Sequence, residues 1–259
     1  MPDDAPKLEK KIVVLHRDDY NRARSMVPEL LTDPFTTVVP VPLRPPLSDD
    51  PTLQSIEDVL QPGTLLIRNR WDADTYVEAA LAYERISAAK FNLVAEVCQM
   101  LGAARLEVRE IREVTEDGQV GAAIRFQAGA VTGSVHGAGE SLRRVAQSMR
   151  ALWEWRGGEP AADAAAAHAR QEGIHDDPAI RTLIRQRSFP QNELEEHSLE
   201  LDISSEALRE VHAAVHVASV LRKLGPSFDG AFQAVTKDAR RLILTMRVVF
   251  PPTGHHPIR

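Results

Sequence analysis

The sequence predicts an α+β fold: a largely antiparallel sheet built from two helix–hairpin units and packed against long helices. Three observations carry this. The stretch VAEVCQMLG at 94–102 returns in outline as VASVLRKLG at 217–225, where Val94, Ala95, Val97, Leu101 and Gly102 are matched by Val217, Ala218, Val220, Leu224 and Gly225. Each copy closes an apolar helical stripe with Leu-Gly, and glycine enters the left-handed conformation of a helix end at little steric cost. Behind each copy the pattern changes to a period of 2, in Val120, Ala122, Ile124 and Phe126 and again in Leu242, Leu244, Met246, Val248 and Phe250. The pseudo-repeat spans 76–126 and 208–250, with one residue inserted in the second copy. Upstream of Val94 the correspondence ends, and helices closed by Leu-Gly are common. The architecture therefore does not depend on a true duplication.

Along the chain, 1–11 reads as a loose tail, 12–250 as a single α+β domain and 251–259 as a second tail. Residues 12–15 (IVVL) form a short buried strand, and 17–31 a helix with Tyr20, Ala23, Val27, Leu30 and Leu31 on one side. Residues 35–41 are extended, and the prolines at 40, 42, 45 and 46 keep them out of a sheet centre. Asp50-Pro51 opens a helix, with Asp as N-cap and Pro at the first helical position, and Pro62-Gly63 stops it. Residues 64–67 (TLLI) are a second strand. Thr75 and Glu78 form the T-x-x-E pattern of a capping box ahead of the long stripe that runs from Tyr76 to Leu101.

The first hairpin turns at Glu116-Asp117-Gly118. A helix over 139–155 follows, then an alanine-rich helix from Glu159-Pro160 to Gly173, and a second Asp-Pro helix start at Asp177-Pro178. Residues 194–203 are extended. Ser204 or Ser205 caps the last long helix, Gly225-Pro226 closes it, and two strands end the fold.

Composition narrows the functional classes. The formal charge of −6 does not suit neutralising a phosphate backbone, so no nucleic-acid partner is expected. The lone Cys98 excludes an intramolecular disulfide framework and a multi-cysteine zinc site. No run is apolar enough for a signal-peptide core or a membrane helix, which makes a cytoplasmic protein the expectation. Arginine far outnumbers lysine, a bias expected of a GC-rich bacterial genome.

Several residue groups are candidates for chemistry. His212 and His216 lie four apart, on one side of a helix, where two imidazoles can share a metal; Ala213 stands where the zincin motif has its general base, and Glu206, Glu210 or a distant histidine could complete the set. Arg181, Arg185 and Arg187, with Arg170, could form an anion or carboxylate pocket, unless Glu193, Glu195 and Glu196 neutralise them. Arg143, Arg144 and Arg150 invite the same reading. His175-Asp176-Asp177 could be an acid–base pair or a hard-metal site, although capping accounts for Asp177. Cys98, on an apolar stripe, reads as a buried hydrophobe. Gly133-Ser134-Val135-His136-Gly137 has the wrong spacing for a nucleophile elbow.

No motif specifies an activity. The reading that follows is a non-catalytic interaction, regulatory or assembly protein with no cofactor, working through a protein partner or self-association. One alternative is a pore-forming or membrane-acting effector that deploys the Gly/Ala-rich region 121–139. The other is a metal-dependent enzyme built on His212 and His216.

Overall fold

The computed structural model describes residues 11–45, 47–72, 75–115, 117–134, 139–149, 151–189, 194–225 and 240–251. The tail expected over 1–10, the end of the tail after 251 and the penultimate strand expected between 226 and 239 lie outside them. The fold is α+β, with two sheets of mostly antiparallel strands. The chain divides into two compact units, Met1–Ile86 with Glu206–Ala239 and Ser87–Ser205 with Arg240–Arg259.

The first unit holds a four-stranded sheet. β1 (Lys11–His16) pairs in parallel with β2 (Thr36–Val41) across a crossover made of α1 (Arg17–Met26) and α2 (Pro28–Thr32). A parallel pair needs such a crossover, and helices supply it here. The helix expected over 17–31 is broken at Val27 because Pro28 has no N–H to donate and starts α2 as its first residue. β2 lies at the sheet edge, where Pro40 does not break a ladder. Asp50 caps α3 (Pro51–Ser55), accepting from the N–H groups of Thr52 and Leu53 at 2.8 and 3.2 Å. β3 (Leu65–Arg68) runs antiparallel to β1. Leu53, Ile56 and Leu60 cover one sheet face through Ile12, Val14, Val39 and Leu66.

The Thr75–Glu78 pattern is not a capping box. Tyr76–Glu78 is a strand, β4, paired with Leu66 to Arg68, and the long helix α4 (Ala79–Met100) begins after it. The Thr75 hydroxyl donates to Asp72 inside the connecting loop. Tyr and Val favour a pleated ribbon, and an available edge strand decides the outcome. α8 (Ser205–Leu221) completes this unit from Glu206 onward. It buries Glu210 beside the buried Lys11, at 3.9 Å.

The second unit holds the larger sheet, with order β7-β6-β5-β10-β9. It comprises β5 (Arg105–Val114), β6 (Val120–Gln127), β7 (Ala130–Ser134), β9 (Glu196–Asp202) and β10 (Arg241–Val249). Leu242, Leu244, Met246, Val248 and Phe250 are all buried, as the alternation requires. β6 alternates less strictly than expected: Val120 is exposed and Ala123 is buried beside Ala122 and Ile124. The helix expected over 139–155 stops early. α5 (Glu140–Ser148) ends at Met149, and β8 (Leu152–Glu154) pairs with β5. Trp153 in β8 meets the Phe91 ring edge-on and stacks with Trp155, contacts that favour the strand over a further helical turn.

Two buried charges tie these elements together. Lys90 of α4 donates to the Asp202 carbonyl at 2.6 Å and lies 3.9 Å from the Asp177 carboxylate. Asp177 also caps α7 (Pro178–Arg187) by accepting from the Ala179 N–H. Glu107 is buried beside Arg109 at 3.1 Å and accepts the Ala128 N–H. Ala128 and Gly129 form the two-residue turn between β6 and β7, both with positive φ, at 51° and 82°. Such turns match strand twist but strain a residue that carries a Cβ.

Two predictions follow from these charges and this turn. Asp177→Ala removes a cap and the carboxylate 3.9 Å from Lys90, at a cost of about 3 kcal/mol in urea unfolding. Asp177→Asn keeps a capping oxygen and is expected to cost about 1 kcal/mol less than the alanine variant. Ala128→Gly relieves the turn and is expected to stabilise the protein by about 1 kcal/mol in the same measurement.

Candidate functional site

α6 (Ala162–Gln171) and α7 form a helical hairpin, and its connection explains the site. Gly173 takes φ 70°; its N–H returns to the Arg170 carbonyl and that of Ile174 to the Ala169 carbonyl. This is a Schellman ending, and Ile174 is buried behind it. Asp177 then caps the next helix. Ala165 and Ala169 of α6 and Ile180 and Leu183 of α7 are buried. That leaves Ala166 and Arg170, four apart, and Arg181, Ile184 and Arg185, at helical spacing, to line a groove of about 250 Å³ with His175 at its edge. Its walls are mostly apolar, since the small Ala166 leaves room and the arginine stems snorkel along the surface.

Arg170, Arg181 and Arg185 are exposed, and none makes an ion pair or side-chain hydrogen bond among the described residues. The arginines of the large sheet behave differently. Arg112 meets Glu200 at 2.6 Å, Arg125 meets Glu110 at 2.8 Å, Arg241 meets Asp202 at 2.6 Å, and Arg247 pairs with Glu196. Glu196, one of the acids expected to neutralise the α7 arginines, is held by Arg247, whose hydrogen bond keeps its carboxyl below the usual range. Glu193 lies outside the described residues.

The structure separates Arg187 from this group. It is 3% exposed, donates to the Leu101 and Leu194 carbonyls at 3.2 and 3.4 Å, and lies 4.3 Å above the Phe250 ring. Burial draws its guanidinium below its ordinary pKa. His175 Nε2 is 3.1 Å from its neighbour Asp176, while Asp177 serves α7 and Lys90.

His212 and His216 both lie on the exposed side of α8. Of the acids that might join them, Glu206 faces Arg209 at 3.8 Å and Glu210 is buried against Lys11. Among the described residues no three His, Cys, Asp or Glu side chains gather as a metal site. Arg143 and Arg144 are exposed on α5, Arg144 lies 3.7 Å from Glu140, and Arg150 is outside the described residues. Within 121–139, β6 and β7 form the edge hairpin of the large sheet, and 135–138 lie outside the described residues. No helix among the described residues is long and apolar enough to cross a membrane.

Sequence reasoning joined Arg170, Arg181 and Arg185 but counted Arg187 with them and left His175 apart, because the hairpin that brings His175 to the groove is a tertiary feature. It also missed the buried Lys90, whose signal was a lysine inside an apolar stripe. No family model matches the chain, and no curated protein or solved structure is significantly similar to it.

Cys98 is fully buried, and burial pushes its thiol up to about 12. The thiolate is the reactive form, so native protein at pH 8 is expected to resist a thiol reagent and to react fully once unfolded. Rapid labelling of the native chain in a colorimetric thiol assay would contradict this burial.

Proposed function

We propose that this chain is a non-catalytic interaction protein of the cytosol that docks an acidic segment of a partner protein in the α6–α7 groove. One observation carries the reading: three exposed arginines without partners among the described residues line an apolar depression, in a chain where sheet arginines such as Arg112, Arg125 and Arg241 are paired with carboxylates. The depression is smaller than the roughly 300–1,000 Å³ of whole-ligand pockets. It fits one apolar side chain, with carboxylates on either side reaching Arg170, Arg181 and Arg185. Guanidinium groups bind carboxylates through paired, charge-assisted hydrogen bonds, and exposed ones lose little on desolvation until the partner arrives. Opposite charge also speeds encounter.

Selection of random peptides against the purified protein tests this. The expected winners are rich in Asp and Glu around a single aliphatic or aromatic residue. Their affinity should fall at least tenfold in the variant carrying Arg170→Glu, Arg181→Glu and Arg185→Glu, and should weaken as salt rises. Winners with no acidic bias, or equal binding to the charge-reversed variant, would sink the proposal.

A further inference from the structure

The exposed side of α7 continues past the arginine groove. Arg181 and Arg185 are four apart, and Phe189 is four further on. Ser188, the C-cap of α7, keeps helical angles (φ −80°, ψ −13°), and its N–H still donates to the Ile184 carbonyl at 3.0 Å. The helical path therefore carries the chain to Phe189, one turn beyond Arg185 on the same side. Phe189 is 60% exposed. Phe35, the other exposed phenylalanine among the described residues, belongs to the other unit.

A single exposed apolar side chain is common on a protein surface and means nothing alone. The place of this one gives it meaning. Ile184 and Arg185 stand in the groove wall, and the open ring of Phe189 follows them along the same helix. Neither the Arg185 nor the Phe189 side chain makes an ion pair, hydrogen bond or ring contact among the described residues. At the helical rise, Ile184 and Phe189 are about 7.5 Å apart along the axis. Two residues of an extended segment span about 6.6 Å, and five of a helix about 7.5 Å, so one short segment reaches both. We infer that the segment docked in the α6–α7 groove carries a second apolar residue, which packs on the Phe189 ring, with a carboxylate between the two on Arg185. The inference rests on the groove reading and specifies its partner: an acidic protein segment with two apolar residues at fixed spacing. The groove residue alone suffices for docking, and the second adds affinity by removing the ring from water. Aromatic side chains are enriched among the residues that dominate binding.

Glutamate-rich peptides with blocked ends test it, titrated calorimetrically into the full chain. One carries a single central leucine; the others add a second leucine two, four or five residues away on either side. The best two-leucine peptide is expected to bind at least fivefold tighter than the single-leucine one. Phe189→Ala should abolish that gain, and Phe189→Leu should keep most of it. Phe35→Ala should change neither affinity. Circular dichroism checks the fold of each variant. Equal affinity of the one- and two-leucine peptides, or a gain that survives Phe189→Ala, overturns the inference and leaves the groove reading standing. If neither kind of peptide binds, or if both bind equally well to the chain carrying Arg170→Glu, Arg181→Glu and Arg185→Glu, the groove reading falls and this inference with it.

Discussion

The large sheet depends on one inner strand, β10, which pairs with β5 on one side and β9 on the other. Residues near the end of the chain thereby become an inner strand, far in sequence from their β5 partners. Side chains alternate on a strand, so a slip of one residue would turn Leu242, Leu244, Met246 and Val248 out of the core. The opposite face resists the same slip, because Arg247 and Arg241 find Glu196 and Asp202 in only one register. A bulge beside Thr245 and Met246 takes up the extra Arg109 without breaking the alternation. Once β9 is placed, its final carbonyl, that of Asp202, receives Lys90, and Lys90 holds Asp177 at the start of α7. The position of the arginine groove thus follows from strand register through a chain of named contacts.

What could be read from the sequence divides along physical lines. Local signals were legible. Asp50-Pro51 and Asp177-Pro178 start helices because both capping partners are adjacent in the chain. Gly102 ends α4 with φ 82°, and an added Cβ there would meet the Gly158 carbonyl oxygen at 2.2 Å. Signals decided by distant partners were not legible. Tyr76–Glu78 and Leu152–Glu154 are too short to show a period, and each is a strand because an open edge of β3 or β5 lies beside it. The parallel pairing of β1 with β2 could not be read, because the strands have apolar runs and not an alternation. The sequence pointed to a single shared sheet for the same reason: nothing in it records which strands fail to meet.

The candidate site was half legible. Arg181 and Arg185 are four apart on one helix, so their common side follows from helical geometry. Arg170 and His175 join them only through the turn at Gly173 and Ile174. Arg187, two residues beyond Arg185, faces the opposite way, and its burial over Phe250 makes it a packing residue. The two copies of the pseudo-repeat close their helices differently. α8 ends in a further tight turn, Arg222–Leu224, before Gly225, whose φ of 148° differs from the 82° of Gly102.

The protein uses charge in three ways, and burial separates them. At the buried charges Lys90, Glu107 and Glu210 a counter-charge lies within 4 Å, and the buried Arg187 is met by two carbonyls and the Phe250 ring, since an isolated ion there would cost several kcal/mol. On the exposed sheet face, acids and bases neutralise one another and set register, a role worth little in stability but strict in geometry. At Arg170, Arg181 and Arg185 the same residue type stands open, with no counter-ion among the described residues to displace before a partner binds. The groove arginines are charges that folding has positioned and left exposed.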